Sequence, residues 1–531
     1  MENNGIEIAG FWISKDVQTS LVTVFVLYTV IILALGFYVK YQSRKEVDSE
    51  FSKFITGGGN LNTFQLAMVT ATSAMAGGTM VSGPGLTYKV GFIYTLVCYS
   101  NFIQNYVTFG TFGKKFSIMK QRLHADTIVQ LIHHRFQSKR IVVVLSLCSA
   151  VFGVIALSGQ FVSAAKIFSA ILGSGVYKMG LILSVVLVVA YSLSGGVKSM
   201  TKICIVQGVV MCAAVALMVI SEFKAISAEY GNIQAAMEFV QRNNEALVNA
   251  RTFSPLYAVG MCLVTGWGNT GGVGLLQTTM MYDKTKTMQR AAILGGVMML
   301  FINGIMASSG PIAYSLNQNI TNADYEFLYL STSYLPGVLS GVIITGVMAA
   351  IQSTVATGLI STAGVLAGDM YKRCINPDTD DKKLQKINIG ICVLIGLLSL
   401  ILALNPSELA QMILILGVGG SAIGFIIPVF FGAYWKKTTE KGAFASIILG
   451  LLTYASFYIL SSNTFIADWY ATYLGGVHPI IPAMIVSVAS IVWVSLATQN
   501  KKVPLGIYKV WFCKDYEERF ALMYDADRVR K

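Results

Sequence analysis

Charge is what this chain has least of. Asp, Glu, Lys and Arg make up 12% of its 531 residues and hydrophobic types 54%, where soluble domains carry about a quarter charged residues. Too little charge remains to clothe a water-soluble surface, so the chain belongs in a bilayer. Cations exceed anions, 39 to 26, yet they fall in short gaps between apolar runs. That placement speaks against a nucleic-acid face and for cytoplasmic anchors. The eight Cys show no CxxC or Cys/His spacing, which argues against a disulfide framework or a zinc site. Three of the four His (His124, His133, His134) share one loop and read as surface residues. No nucleophile–base pair, metal cluster or phosphate loop is visible, so no enzyme is expected. No removable signal peptide is evident either. The start is polar, and the first apolar run, from Leu21 to Val39, is long enough to remain as a span.

Long apolar runs are plentiful. A bilayer core of about 30 Å takes around 20 apolar residues per helix. On that measure about thirteen spans follow: 18–39, 62–86, 92–113, 140–168, 178–196, 201–222, 254–278, 290–314, 334–368, 387–404, 408–433, 441–462 and 476–498. Lys and Arg crowd alternate gaps, such as Lys114–Arg122 and Lys382–Lys386, while 315–333, 405–407 and 463–475 have none. The N-terminus is therefore expected outside and the C-terminus inside. The one sizeable outer loop, 223–253, repeats its apolar residues at helical spacing, which predicts a short surface helix. The segment 117–138 has the same look, with Asp126-Thr127 as a helix-capping signal. Residues 499–531 read as a basic cytoplasmic tail.

Two spans are built to break. Leu61–Gly91 carries Thr70, Thr72, Ser73 and Thr79, the pair Gly77-Gly78, and Gly83-Pro84-Gly85. A helix made only to span lipid does not collect so many residues that loosen it. A helix that opens midway, freeing backbone carbonyls and amides for an ion or solute, does. Five spans later, 254–278 carries Gly266, Gly268, Gly271, Gly272 and Gly274 around Trp267 and Asn269. Five crossings apart, the two spans run in opposite directions, the arrangement of a five-plus-five inverted repeat. The competing reading is that glycines simply let helices pack closely.

Buried carboxylates suited to a proton relay are not evident. The polar residues within spans are Asn101, Gln104, Asn105, Gln160 and Asn303. Each suits either an interhelical hydrogen bond or a solute, and Gln160 is the best placed for the latter because its span faces the opened helix. The ninth span carries Gln352, Ser353, Thr354, Thr357, Ser361 and Thr362. Their hydroxyls could join freed carbonyls around a hard cation, or merely bond back to their own helix.

Motifs scattered over almost the whole chain carry a resemblance. They include Ser82-Gly83-Pro84-Gly85 with Tyr88-Lys89-Val90-Gly91, Gly113-Lys114-Lys115-Phe116, Arg135-Phe136-Gln137-Ser138 and Tyr191-Ser192-Leu193-Ser194-Gly195-Gly196. Others are Gln207, Asp369-Met370-Tyr371, Tyr434-Trp435-Lys436, Lys441-Gly442-Ala443 and His478-Pro479-Ile480-Ile481-Pro482. Together they resemble the sodium:solute symporter family, most of all its pantothenate permease branch. The resemblance implies an all-α polytopic membrane protein with the leucine-transporter-type five-plus-five inverted repeat. Its parts would be 1–56 (extra helix and first cytoplasmic loop), 57–222 (first repeat), 223–253 (outer loop), 254–433 (second repeat), 434–498 (two further spans) and 499–531 (tail).

The same resemblance implies sodium-coupled uptake of a small organic solute, pantothenate-like or another small carboxylate, across the cell membrane. The sodium ligands would be carbonyls of Thr72, Met75 and Ala350 with the hydroxyls of Ser353 and Thr354. The solute would lie against Ala76, Gly77, Thr79, Gln160, Trp267 and Asn269. No cofactor is implied beyond Na+ as coupling ion, and no partner beyond solute and lipid: no nucleic acid and no obligate protein. Two residues depart from the family pattern. Ile203-Cys204 stands where the family has Thr-Asp, and Thr278 where it often has Arg. Losing the carboxylate weakens attraction for a cation, although the pair could vanish together without stranding a charge. Lys202 lies two residues from Cys204, hence on nearly the opposite helix face. A sodium-independent carrier, proton-coupled or uncoupled, is the alternative, and a transporter-like sensor a more distant one.

Overall fold

The computed structural model describes residues 5–45, 61–192, 196–249, 252–405, 410–462, 470, 474–499 and 505–512. Most of the segment expected as the first cytoplasmic loop, the centre of the Tyr191–Gly196 motif and the tail beyond 512 lie outside the described residues. The chain begins with a hairpin, β1 (Gly5–Ile8) and β2 (Phe11–Ser14), joined through Ala9-Gly10. Both turn residues have positive φ, 49° and 86°, the conformation that two-residue hairpins need. The hairpin amends the all-α expectation, which took this segment only as a polar start. It docks on the loop before α14 (below): Thr321 N–H donates to Ala9 O at 3.1 Å, and a side chain on Gly10 would meet Asn319 O.

Helices follow in order: α1 (Lys15–Lys45), α2 (Thr63–Ala74), α3 (Gly83–Val90), α4 (Phe92–Val107), α5 (Lys114–Leu123), α6 (Ile128–Phe136) and α7 (Lys139–Leu172). Next come α8 (Tyr177–Ser192), α9 (Gly196–Glu229), α10 (Ile233–Asn243), α11 (Pro255–Cys262), α12 (Val273–Thr278) and α13 (Thr285–Leu316). The remainder are α14 (Glu326–Tyr334), α15 (Gly337–Gly364), α16 (Asp381–Ala403), α17 (Ala410–Tyr434), α18 (Glu440–Ser462), α19 (Ile480–Ala497) and α20 (Leu505–Phe512). Among the described residues nine helices are long and apolar enough to cross a membrane. The other predicted spans take irregular forms. Residues 62–86 and 254–278 break, 92–113 runs from α4 into a π-helical stretch at Thr108–Gly113, and 178–196 is the short α8. The surface helix predicted in 223–253 is α10, and Thr127 caps α6 by accepting from Gln130 N–H at 3.1 Å.

The helices that position the site pack in pairs, α9 on α15, α7 on α17 and α4 on α13, with α1 laid along α15. At the far end of the chain, α20 tucks under α5 and α6. Lys115 Nζ donates to Trp511 O at 3.0 Å and Arg122 to Val510 O at 2.8 Å, so two cations hold the carbonyl end of the helix. Trp511 is buried, and its indole N–H donates to His134 Nδ1 at 3.3 Å.

Candidate functional site

The first broken helix starts and stops for local reasons. Asn62 and Gln65 form a reciprocal capping box at the start of α2, with bonds of 2.9 and 3.1 Å. At the other end Met75 turns extended, with φ −91° and ψ 99°, and the chain resumes as a π-helical turn over Gly78–Ser82 before α3. The carbonyls of the last turn of α2 thus lose their helical partners. Two hydroxyls of α15 meet them. Ser353 Oγ lies 3.1 Å from Thr72 O and 2.9 Å from Ala350 O. Thr354 Oγ1 lies 3.1 Å from both Thr72 O and Met75 O, and 3.0 Å from Ala350 O. All five groups named from the sequence are brought together. The two readings of the hydroxyls coexist, since each bonds back to Ala350 and also reaches across to the broken helix.

The cluster carries no formal charge of its own. Cys204, on α9, is fully buried with its thiol beside the Thr72 side chain, while Lys202 turns outward and is exposed, as expected of opposite helix faces. Thr278 is buried and folds its hydroxyl back to Leu275 O at 2.6 Å. Behind the cluster, Tyr28 donates to Gln352 Oε1 at 3.0 Å and Gln207 Nε2 to Tyr28 Oη at 3.3 Å, so α1, α9 and α15 are tied at the residue next to Ser353.

A cavity of about 180 Å³ opens beside the break. Ala76, Thr79, Gln160 and Asn269 line it, together with Gln104 and Gln411, and no Asp, Glu, Lys, Arg or His is among its lining residues. Gly77 N–H donates to Gln160 Oε1 at 2.7 Å. That bond fixes which way the carboxamide points, because only its oxygen can accept; the Gln160 amino group is left for the cavity. Gly77 admits no side chain, as a Cβ would stand 2.6 Å from that of Ser163. Across the cavity the second broken span runs from α11 through a π turn at Leu263–Trp267 and a 3₁₀ turn at Gly268–Gly271 to α12. Asn269 Nδ2 donates to Thr265 O at 2.8 Å and to Asn101 Oδ1 at 3.2 Å, which leaves Asn269 Oδ1 as the free acceptor. One wall therefore offers a donor and the other an acceptor.

Two of the expected solute residues do not line the cavity: Gly77, which reaches it only through its bond to Gln160, and Trp267. Trp267 is half-buried against an apolar cluster that includes Val264 and Ala422. Gln411 was missed from the sequence. A carboxamide at the start of the apolar run of α17 was the available signal, the residue type that drew attention to Gln160. Its Oε1 approaches the place where a Gly78 side chain would begin, 2.1 Å away, so the glycine lets α17 close against the broken helix.

Comparison with known proteins bears on the family and the fold. Residues 54–450 match the sodium:solute symporter family. A sodium/pantothenate symporter of Escherichia coli is 24% identical over 476 residues, covering 88% of this chain and 95% of that protein. A sodium/pantothenate symporter of Haemophilus influenzae is 25% identical over 416 residues, covering 76% and 83%. An osmoregulated proline transporter of Bacillus subtilis is 24% identical over 498 residues, covering 89% and 94%. Among solved structures, a Na+-coupled sialic acid symporter in a substrate-bound outward-open state superposes with a TM-score of 0.69 at 15% identity, covering 90% of this chain and 98% of that one. The fold is the leucine-transporter-type inverted repeat, and the chain is a multi-pass membrane protein of the sodium:solute symporter family.

Proposed function

We propose that the protein carries a small organic acid into the cell together with sodium, by alternating access around the two broken helices. The observation that carries this reading is the set of five oxygens at Thr72, Met75, Ala350, Ser353 and Thr354, assembled from both repeats beside the cavity. A hard cation prefers such oxygens. On binding, the two hydroxyl protons rotate away and their lone pairs, with the three carbonyls, face the ion.

The solute lies next door, against Ala76, Thr79 and the Gln160–Gly77 bond. Its acceptor end meets the Gln160 amino group and a hydroxyl or N–H meets Asn269 Oδ1. Pantothenate, which has a carboxylate, an amide and two hydroxyls, suits both walls. No cationic side chain lines the cavity, so the carboxylate's counter-charge is the sodium ion itself. Each then strengthens the other's binding, and the coupling is reciprocal.

A second reading is favoured by Cys204, which leaves the cluster without the family's carboxylate: a carrier of the same fold that does not use sodium. One experiment separates the two. Purified protein in liposomes is given radiolabelled pantothenate, then proline, with an inward sodium gradient or with potassium in its place. Accumulation that needs sodium supports the first reading. Equal accumulation in potassium overturns it in favour of the second.

A further inference from the structure

Three carboxylates are buried under the loop between α13 and α15, away from the solute cavity, and among the described residues only one of them, Asp324, is paired with a cation. Asp324 pairs with Lys166 of α7 at 2.5 Å, both buried. Glu326, at the start of α14 and fully buried, accepts from Ser309 Oγ at 2.8 Å. Glu222, near the end of α9 and 7% exposed, accepts from the neighbouring Ser308 Oγ at 3.2 Å. Consecutive hydroxyls of α13 thus hold one oxygen of each glutamate. The other two, Glu222 Oε1 and Glu326 Oε2, are buried without a hydrogen-bond partner, and the negative charges of Glu222 and Asp324 both act on Glu326.

The groups facing Glu326 leave its charge unanswered. From α9 there is Glu222; from the 3₁₀ turn ahead of α14, Asp324 with Lys166 behind it; from α3, the Tyr88 phenol. The faces of α13 and α15 packed on α14 add hydroxyls and apolar side chains. Two ionised glutamates cannot share such a site, because burial and like charge both oppose the charged form. Among the described residues no three His, Cys, Asp or Glu side chains stand in a metal-ligating arrangement, and a proton would answer both the like charge and the unpartnered oxygens.

We propose that Glu222 and Glu326, held by Ser308 and Ser309, form a proton-binding site beneath the loop over the first broken helix. The proton comes from water on that side and converts one carboxylate to a neutral acid, which removes the repulsion between like charges. Burial together with the neighbouring charges holds the Glu326 carboxyl well above its usual range, in keeping with this geometry.

The site bears on transport through what lies above it. Gly85 of α3 has no room for a side chain, since a Cβ would sit 2.8 Å from Asp324 Oδ1 and 2.9 Å from Ala323 O. The Tyr88 hydroxyl donates to Asn317 O at 2.7 Å. The loop is thereby seated on the same half-helix that must move when the cavity opens to that side. A bound proton keeps the loop's acidic underside seated, and its loss sets two like charges against each other there.

The test needs no solute and so does not depend on the proposed cargo. Infrared spectra of the full chain in lipid vesicles are titrated from pH 5 to pH 10, following the carbonyl stretch of protonated carboxylic acids. The wild type is expected to keep one such band at pH 7 that bleaches only in alkali. Glu326→Gln and Glu222→Gln, which preserve shape, should each shift or remove it, and Glu238→Gln, at an exposed carboxylate of α10, should not. No protonated band at pH 7, or a band unmoved in both glutamine variants, overturns the proposal. If a glutamine variant fails to fold, the wild-type band and Glu326→Asp, which keeps the acid but moves it, decide the matter by the same readout.

Discussion

Gly77 gives its backbone N–H to Gln160 Oε1 at 2.7 Å, so an amide freed by the broken helix is answered by the one amide side chain of α7 that faces the solute cavity. Loss of that side chain leaves a buried N–H unpaired, at a cost to the folded state of about 1–3 kcal/mol, and also removes the amino group proposed to bind the solute's acid, a hydrogen bond of similar worth. Gln160→Leu is therefore expected to raise the KM for uptake by roughly 5- to 150-fold with sodium affinity little changed, measured as initial rates in liposomes. Gln160→Glu, which keeps an oxygen for Gly77 but puts charge where the solute's acid should lie, should do no better.

The five-oxygen cluster predicts graded losses. Ser353→Ala and Thr354→Ala each remove one of five ligands, and each is expected to raise the sodium concentration for half-maximal stimulation by about tenfold, roughly 1.4 kcal/mol. The double variant should lose sodium stimulation. Uptake rates across a sodium series check this, and an unchanged sodium dependence in the double variant removes the cluster from the ion's path.

Cys204 offers a gain rather than a loss. Its thiol is buried beside Thr72, and a carboxylate there would add a negative charge near the cluster. At about 4 Å such a charge is worth on the order of 1–4 kcal/mol, depending on local dielectric. Cys204→Asp is expected to lower the sodium requirement severalfold or more, read from the same uptake series. A carrier that does not use sodium would show no such shift.

The Trp511 contact should respond to acid. Burial holds the His134 imidazole below its usual range, and as a neutral ring it accepts the Trp511 indole N–H. Its folded-state pKa lies below the unfolded value of about 6.5. The stabilising contribution is therefore present above that value and fades as pH falls through the folded-state pKa. Protection of 505–512 against hydrogen exchange, relative to intrinsic rates, is expected to fall as the pH drops below the unfolded value of about 6.5, and the acid response should vanish in His134→Gln.

Lys166 and Asp324 are a buried pair at 2.5 Å, and single truncations should cost far more than the pair is worth. Lys166→Met or Asp324→Asn is expected to destabilise the protein by about 3–5 kcal/mol, and the double substitution by clearly less. Thermal unfolding of the four proteins in detergent closes the cycle.

What was legible in the sequence follows a physical rule. Gly77, Gly78 and the glycines around Trp267 mark breaks because few other residues tolerate the backbone or the close approach there. Thr72, Met75, Ala350, Ser353 and Thr354 could be named together only through the family resemblance, since Thr72 and Ser353 stand 281 positions apart in the chain. Long-range matches were not legible. Gln411 meets Gly78 only once α17 has packed, and Trp267 turns to an apolar cluster because its large ring gains more from burial there. Lys166, Glu222 and Glu326 were passed over since nothing in the sequence shows that their three segments meet. The hairpin at Ala9-Gly10 escaped because two four-residue strands are too short to show a pattern.

The measurement closest to the central claim is the thermal stability of the purified protein as sodium replaces potassium at constant ionic strength, without added solute. Any ligand that binds only the folded state raises its midpoint with concentration. Sodium, and not potassium, is expected to raise the midpoint of the wild type, with no such rise in the Ser353→Ala, Thr354→Ala double variant. An equal rise in that variant, or no sodium response in the wild type, would contradict the assignment of Thr72, Met75, Ala350, Ser353 and Thr354 to the coupling ion.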